Sequence, residues 1–144
     1  MKILAIETSC DETAAAIVED GVSLISSSVA SSSDLHEKTG GIVPEIAARK
    51  QVEFIVPIIQ EVLEKAYLNL DDIDKFAVTS GPGLIGSLVV GVSAAKTLSL
   101  ITEKPLIPVN HLVGHIYANW LTDPENIKFP ALALVVSGGH TDLV

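Results

Sequence analysis

Thr13-Ala14-Ala15-Ala16-Ile17-Val18-Glu19-Asp20-Gly21-Val22-Ser23-Leu24-Ile25-Ser26-Ser27-Ser28-Val29 is the stretch on which the fold turns. Two apolar, strand-like runs flank Asp20-Gly21, a pair that tolerates positive φ and so signals a tight hairpin. Residues 13–19 and 22–29 are therefore expected as antiparallel neighbours. Asp20-Gly21 cannot hold a crossover helix, which disfavours an all-parallel doubly wound sheet. Upstream, Lys2-Ile3-Leu4-Ala5-Ile6-Glu7 reads as another apolar strand, set off by the turn-like Ser9-Cys10-Asp11-Glu12. Three strands joined by hairpins thus open the chain.

Downstream the period changes. After a Ser-rich loop ending near Gly40-Gly41, Pro44 suits the first turn of a helix. From Glu45 to Tyr67, Ile46, Ala47, Phe54, Ile58, Ile59, Val62, Leu63 and Ala66 recur at helical spacing. Pro57 lies inside that run and is expected to kink or split it. Asp71-Asp72-Ile73-Asp74 predicts a short helical turn or cap before a buried strand at 75–80, which Gly81-Pro82-Gly83 breaks. An apolar helix from Leu84 to about Ile101 reads as core packing, its Gly86, Ser87, Gly91, Ser93, Ala94 and Ala95 permitting close backbone approach. A short strand at 106–109, a histidine-bearing helix at 110–121, a polar loop at 122–128 and a strand at 131–136 complete the order β-β-β-α-β-α-β-α-β. Hairpins first and crossovers after predict an α/β fold, a mixed sheet with helices on its faces.

Composition narrows the function classes. The 144 residues are 48% hydrophobic but only 4% aromatic, enough for one core packed with Ile, Leu, Val and Ala. No uninterrupted apolar run reaches the ~18 residues of a membrane helix, and the short apolar start interrupted by Glu7 reads as a strand rather than a signal peptide. No membrane partner is expected. One cysteine, Cys10, excludes an internal disulfide and fits a reducing, cytoplasmic compartment. Nine basic against eighteen acidic residues give a net charge of −9, with Arg49 the single arginine. Since nucleic-acid affinity comes largely from phosphate neutralisation, this chain is a poor nucleic-acid binder by itself. Any RNA substrate needs positive surface from a partner or from further chain.

Two local patterns carry chemistry. His111 and His115 are four residues apart, one turn of helix on one face. Two imidazoles so placed can close on one metal ion and leave coordination positions open; the plainer alternative is a helix that merely contains two histidines. The second pattern is an echo. Ile6-Glu7-Thr8-Ser9-Cys10-Asp11-Glu12-Thr13 and Val135-Val136-Ser137-Gly138-Gly139-His140-Thr141 each run strand, Ser, three residues, Thr, strand. Such tips expose backbone N–H groups and hydroxyls to phosphate oxygens, and Gly138-Gly139 allow close approach. Asp11 and Glu12 could orient a metal or a water. Against this stands the reading of two unrelated turns. His36 is expected exposed in a polar loop, His140 structural, and Cys10 a packed thiol. The unit repeats near residue 130 and the sequence reaches Val144 inside an apolar strand. Residues 1–129 are therefore expected as a first lobe and 130–144 as the opening strand and hairpin of a second, in an N-terminal piece of a larger protein. The open strand would pair within its own lobe or with a neighbouring chain, so self-association of the fragment is expected.

Taken together these residues resemble one family: the tRNA threonylcarbamoyladenosine transferases, long known as O-sialoglycoprotein endopeptidases or glycoproteases. The resemblance spans the whole chain. It rests on Glu7-Thr8-Ser9-Cys10-Asp11-Glu12-Thr13, Gly40-Gly41-Ile42-Val43-Pro44-Glu45, Ser80-Gly81-Pro82-Gly83-Leu84, Asn110-His111-Leu112-Val113-Gly114-His115 and Val136-Ser137-Gly138-Gly139-His140-Thr141. The resemblance implies a ribonuclease-H-like fold of the actin, sugar-kinase and heat-shock ATPase type, here a mixed five-stranded sheet. It implies transfer of a threonylcarbamoyl group from threonylcarbamoyl-adenylate to N6 of adenosine 37 in tRNAs reading codons that begin with A. It also implies one divalent metal, iron before zinc, on His111 and His115, the third ligand being an aspartate of the second lobe. An adenylate or ATP-type nucleotide is the ligand, with Val135, Val136, Ser137, Gly138 and Gly139 in its binding segment. Asp11 and Glu12 match acidic residues near the reaction centre. The partners implied are tRNA, a paralogous protein and a small ATPase. The fragment alone is expected to be inactive.

Three other readings compete. A metalloprotease of the His-Glu-x-x-His type needs Glu after the first histidine as its base, and Leu112 stands there. A non-catalytic interaction module like the family's shorter paralogue would lack the histidine pair. A sugar or acetate kinase of the same fold class has no reason to carry one.

Overall fold

A computed structural model of the chain describes residues 1–32, 41–136 and 141–144. β1 (Lys2–Glu7), β2 (Glu12–Glu19) and β3 (Ser23–Ser31) form an antiparallel meander, followed by α1 (Pro44–Ala66) and a 3₁₀ turn at Leu70–Asp72. β4 (Lys75–Gly81), α2 (Ile85–Thr102), β5 (Leu106–Asn110) and α3 (His111–Tyr117) come next, then a second 3₁₀ turn at Ala118–Leu121. β6 (Leu134–Val136) and β7 (Thr141–Leu143) make a separate two-stranded sheet. The main sheet has the order β3-β2-β1-β4-β5. β4 is parallel to β1 and β5 to β4, so the mixed sheet predicted from the hairpin-then-crossover order is what forms. At the deciding turn Asp20 and Gly21 both have positive φ, 52° and 79°, and the register runs from Glu19↔Ser23 to Glu12↔Ser31 across one bulge.

The period-2 pattern puts Leu4, Ile6, Ala15, Ile17, Phe76 and Val78 on one sheet face, where they meet Ile55, Ile58, Ile59 and Val62 of α1 and Ala95 of α2. Burying each large aliphatic is worth about 1.5–3 kcal/mol. The face therefore fixes α1 over β2 and β3, and Ser26 adds a hydrogen bond from Oγ to the Val62 carbonyl, 2.8 Å.

Three sequence expectations need correction. α1 runs unbroken through Pro57. Pro57 and Glu53 both lie on the exposed side, so the carbonyl that loses its amide partner can turn to water. α2 is core packing only in part. Its buried residues are the small Ser87, Gly91 and Ala95, while Ile85, Val89, Leu100 and Ile101 are exposed. The small residues bring the helix against the sheet and α1, with Val90, Val92 and Leu98 packed partly buried beside them, which leaves Ile85, Val89, Leu100 and Ile101 outward. By length and mean hydropathy, 1.6 over 18 residues, α2 would also pass as a membrane span, because averaging over the helix absorbs Lys96. The expectation based on uninterrupted apolar runs missed this. Finally, the strand expected over 131–136 covers only 134–136. It pairs with residues 141–143 of its own chain, the pairing being extended by two hydrogen bonds between Ala133 and Val144.

Candidate functional site

β1, β4 and β5 are parallel, so their carboxyl ends lie at one edge of the sheet, the edge where open α/β sheets bind ligands. Glu7 ends β1, Thr79 lies near the end of β4, and His111 follows β5 directly. Asn110 caps α3, its Oδ1 accepting from the amides of Leu112 (2.9 Å) and Val113 (3.2 Å). The cap starts the helix at His111, which puts His115 one turn on, above it.

The two imidazoles converge. Their Nε2 atoms are 3.1 Å apart, with ring centroids 4.4 Å apart and planes at 81°. Two nitrogens each ~2.0–2.1 Å from a tetrahedral metal stand about 3.3 Å apart, so the pair fits a shared divalent ion with little adjustment. Among the described residues no third His, Cys, Asp or Glu completes a three-ligand cluster.

Behind His111 is an anchor that periodicity did not reveal. Its Nδ1 lies 3.1 Å from Ser9 Oγ and 3.4 Å from Glu7 Oε2. Glu7 in turn accepts hydrogen bonds from the Ser9 amide and the Thr79 hydroxyl. Burial pushes the Glu7 carboxyl up, but the Ser9 and Thr79 hydrogen bonds and the neighbouring imidazole outweigh it and hold the group below its ordinary value. One signal was available in the sequence: a single carboxylate closing an otherwise apolar strand.

The turn between β1 and β2 is clamped from three sides. From α1, buried Gln51 donates Nε2 to the carbonyls of Cys10 and Glu12, 3.0 Å each, and more weakly to Thr8, 3.4 Å. From α2, Ser87 Oγ donates to the Cys10 carbonyl (3.0 Å), and its own carbonyl accepts from Thr8 Oγ1 (2.8 Å). From the turn after β4, the Leu84 amide donates to the Ser9 carbonyl (2.8 Å), and a Cβ at Gly83 would lie 2.6 Å from that same oxygen. Asp11 and Glu12 sit on this clamped turn at the edge of the site. Among the described residues neither carboxylate hydrogen-bonds His111 or His115; the Asp11 side chain bonds the Cys10 thiol. Cys10 is exposed rather than packed, because its backbone carbonyl, not its sulfur, faces the interior. Partial desolvation and the Asp11 carboxyl raise its pKa, which keeps it a thiol.

An apolar cavity of about 660 Å³ opens beside the histidines, lined among others by His111, His115, Trp120, Phe129, Val135 and Val136. The structure thus brings Val135 and Val136 to the candidate metal ligands. Ser137, Gly138, Gly139 and His140 lie outside the described residues, as do His36 and Gly40. The echoed hairpins differ in span. β1–β2 closes at Glu7↔Ala14 around residues 8–13, and β6–β7 closes at Val136↔Thr141 around residues 137–140.

A family model described as tRNA N6-adenosine threonylcarbamoyltransferase matches residues 23–144. The chain belongs to this family. Transferases of that name from Kosmotoga olearia and Bacillus subtilis are each 58% identical over 144 residues, covering all of this chain but 43% and 41% of the relatives. The chain spans well under half the length of these transferases. Two solved structures show the fold alone. YeaZ from Pseudomonas aeruginosa matches with a TM-score of 0.55 at 17% identity, over 76% of this chain and 45% of that one. An uncharacterised protein with similarity to peptidase YeaZ from Pseudomonas aeruginosa matches with 0.62 at 15%, over 99% and 63%. The transferase family and the ribonuclease-H-like architecture expected from the sequence motifs are thereby shown.

Proposed function

We propose that the longer protein containing this chain transfers a threonylcarbamoyl group from threonylcarbamoyl-adenylate to N6 of adenosine 37 in tRNAs reading codons that begin with A. The observation that carries the reading is the convergence of His111 Nε2 and His115 Nε2, 3.1 Å apart at the carboxyl edge of the sheet, in a chain 58% identical to named transferases. These two residues would hold one divalent metal, iron before zinc, with a third ligand from further chain. When bound, it supplies a Lewis acid for the charge that develops on the donor oxygens.

The chain's own residues bind, orient and move a proton. The N6–carbon bond forms as the bond from the carbamoyl carbon to the adenylate oxygen breaks, and adenylate leaves with the electron pair. The nitrogen must lose a proton in the same sequence. We assign that proton to Asp11 or Glu12, carboxylates held on the clamped turn. Val135 and Val136 line the cavity against which the adenylate or ATP-type nucleotide would lie, and Ser137, Gly138 and Gly139 are assigned to the same binding segment. Lying in a largely apolar cavity, the donor would be shielded from water, which protects a reactive mixed anhydride from hydrolysis.

Residues 130–144 are proposed to open the second lobe. Their two-stranded sheet is separate from the main one, and Phe129, Leu132, Leu134, Val136, Leu143 and Val144 are all 63–75% exposed. So much exposed apolar surface calls for a cover, and the remaining length of the relatives provides one. The 144 residues alone should therefore lack activity. With a net charge of −9, tRNA binding falls to the further chain or to partners, proposed as the paralogous protein and the small ATPase of the bacterial system, in the cytoplasm. Asp11→Ala in the full-length enzyme should lower transfer about 10²–10⁴-fold, read as modified nucleoside per tRNA by mass spectrometry with the partner proteins present. An unchanged rate disposes of the Asp11 role.

A further inference from the structure

Glu7 has more partners than its place in a strand requires. Its two oxygens accept the Ser9 amide and the Thr79 hydroxyl, which binds the end of β1 to its own turn and to β4. It also lies 3.4 Å from His111 Nδ1, while Ser9 Oγ stands 3.1 Å from the same nitrogen. A carboxylate can only accept. Of the two tautomers of a neutral imidazole, the one with hydrogen on Nδ1 is therefore the one this setting favours, and it leaves the Nε2 lone pair free. That lone pair faces His115 Nε2, 3.1 Å away. Among the described residues His115 has no such anchor: it is exposed, and its ring contact is with His111 itself.

We propose that Glu7 is a positioning residue for the metal centre: with Ser9 it fixes the His111 ring with Nδ1 protonated and Nε2 aimed at the point shared with His115. This rests on the reading of the pair as metal ligands. Outer carboxylates that receive the second N–H of a ligating histidine orient the ring and raise its basicity, and losing one weakens metal binding about 10–100-fold. Glu7 suits that task because β1 is a central strand, paired on both sides by β2 and β4. The carboxylate is thus fixed by the sheet, not by a loop.

Glu7→Gln keeps the shape and removes the charge and one acceptor. In the full-length protein, Co²⁺ titration followed by visible absorption should show affinity about 10–100-fold below wild type, with an altered band shape. Ser9→Ala, which spares the carboxylate, should show a smaller loss. Nitrogen-15 spectra of histidine-labelled, metal-free wild type should place the hydrogen of His111 on Nδ1. Glu7→Gln within twofold of wild type, or a dominant Nε2–H tautomer in wild type, overturns the inference alone. Failure of the wild type to bind Co²⁺ overturns the metal reading and the inference with it.

Discussion

His111 and Glu7 are 104 positions apart in sequence, yet the contact between them decides which imidazole nitrogen faces outward. The histidine pair itself is legible in the sequence, since spacing of four on a helix fixes one face. What stands behind it is not, because it depends on which strand ends lie side by side: β1 beside β4 beside β5. Cys10 shows the converse error. A lone thiol in a predicted hairpin suggested packing, but the tip turns its carbonyl inward to Gln51 and Ser87 and leaves the sulfur exposed. Partial desolvation of the thiol and the Asp11 carboxyl raise its pKa, so the thiolate fraction at neutral pH is smaller than for a free cysteine. Iodoacetamide should therefore alkylate Cys10 slowly at pH 7, and the rate should climb only at a pH above the usual thiol range. Asp11→Asn should shift that rise to lower pH. Rapid labelling at pH 7 would contradict the assignment.

Elements follow from pattern where one physical rule dominates. Asp20-Gly21 yields its hairpin because two adjacent residues adopt positive φ, and α1 follows its stripe of Ala47, Gln51, Ile55, Ile58, Ile59 and Val62. Pattern fails where rules compete. Pro57 costs a hydrogen bond on a solvated face, and the buried face of α1 outweighs it. In α2 apolar residues occur all round, so periodicity does not say which side is buried; the contact side is chosen by size. Gly91 is where this is sharpest. A Cβ there would sit 2.3 Å from Thr8 Oγ1, which is fully buried and committed to the Ser87 carbonyl. Gly91→Ala gains about 1 kcal/mol of helix propensity, yet overpacking a site that cannot relax costs about 1–3 kcal/mol. The net expectation is destabilisation, read as a lower midpoint in urea. The helix would also back away from the turn bearing Asp11 and Glu12. A midpoint raised by the substitution would show that this approach is loose.

At the scale of the whole molecule, the five-stranded sheet was legible because hairpins and crossovers leave few topologies open, and the motif resemblance named the family that the comparisons show. The relation of the two sheets was legible only as an echo, and the differing spans of the two hairpins show that the echo is one of residue pattern more than of geometry. The apolar surface at residues 129–136 and 141–144 and the two-histidine site share one feature: each leaves a need that the described residues do not meet, a cover in one case and further ligands in the other. Both would be met at the same edge, where the cavity joins His111 and His115 to Val135 and Val136. X-ray absorption at the metal edge of the full-length protein, purified without added metal, is the direct measurement. The account predicts one metal per chain with two imidazole nitrogens in its shell, and loss of that metal in His111→Ala and His115→Ala. A shell without imidazole, or metal retained when both histidines are replaced, would contradict it.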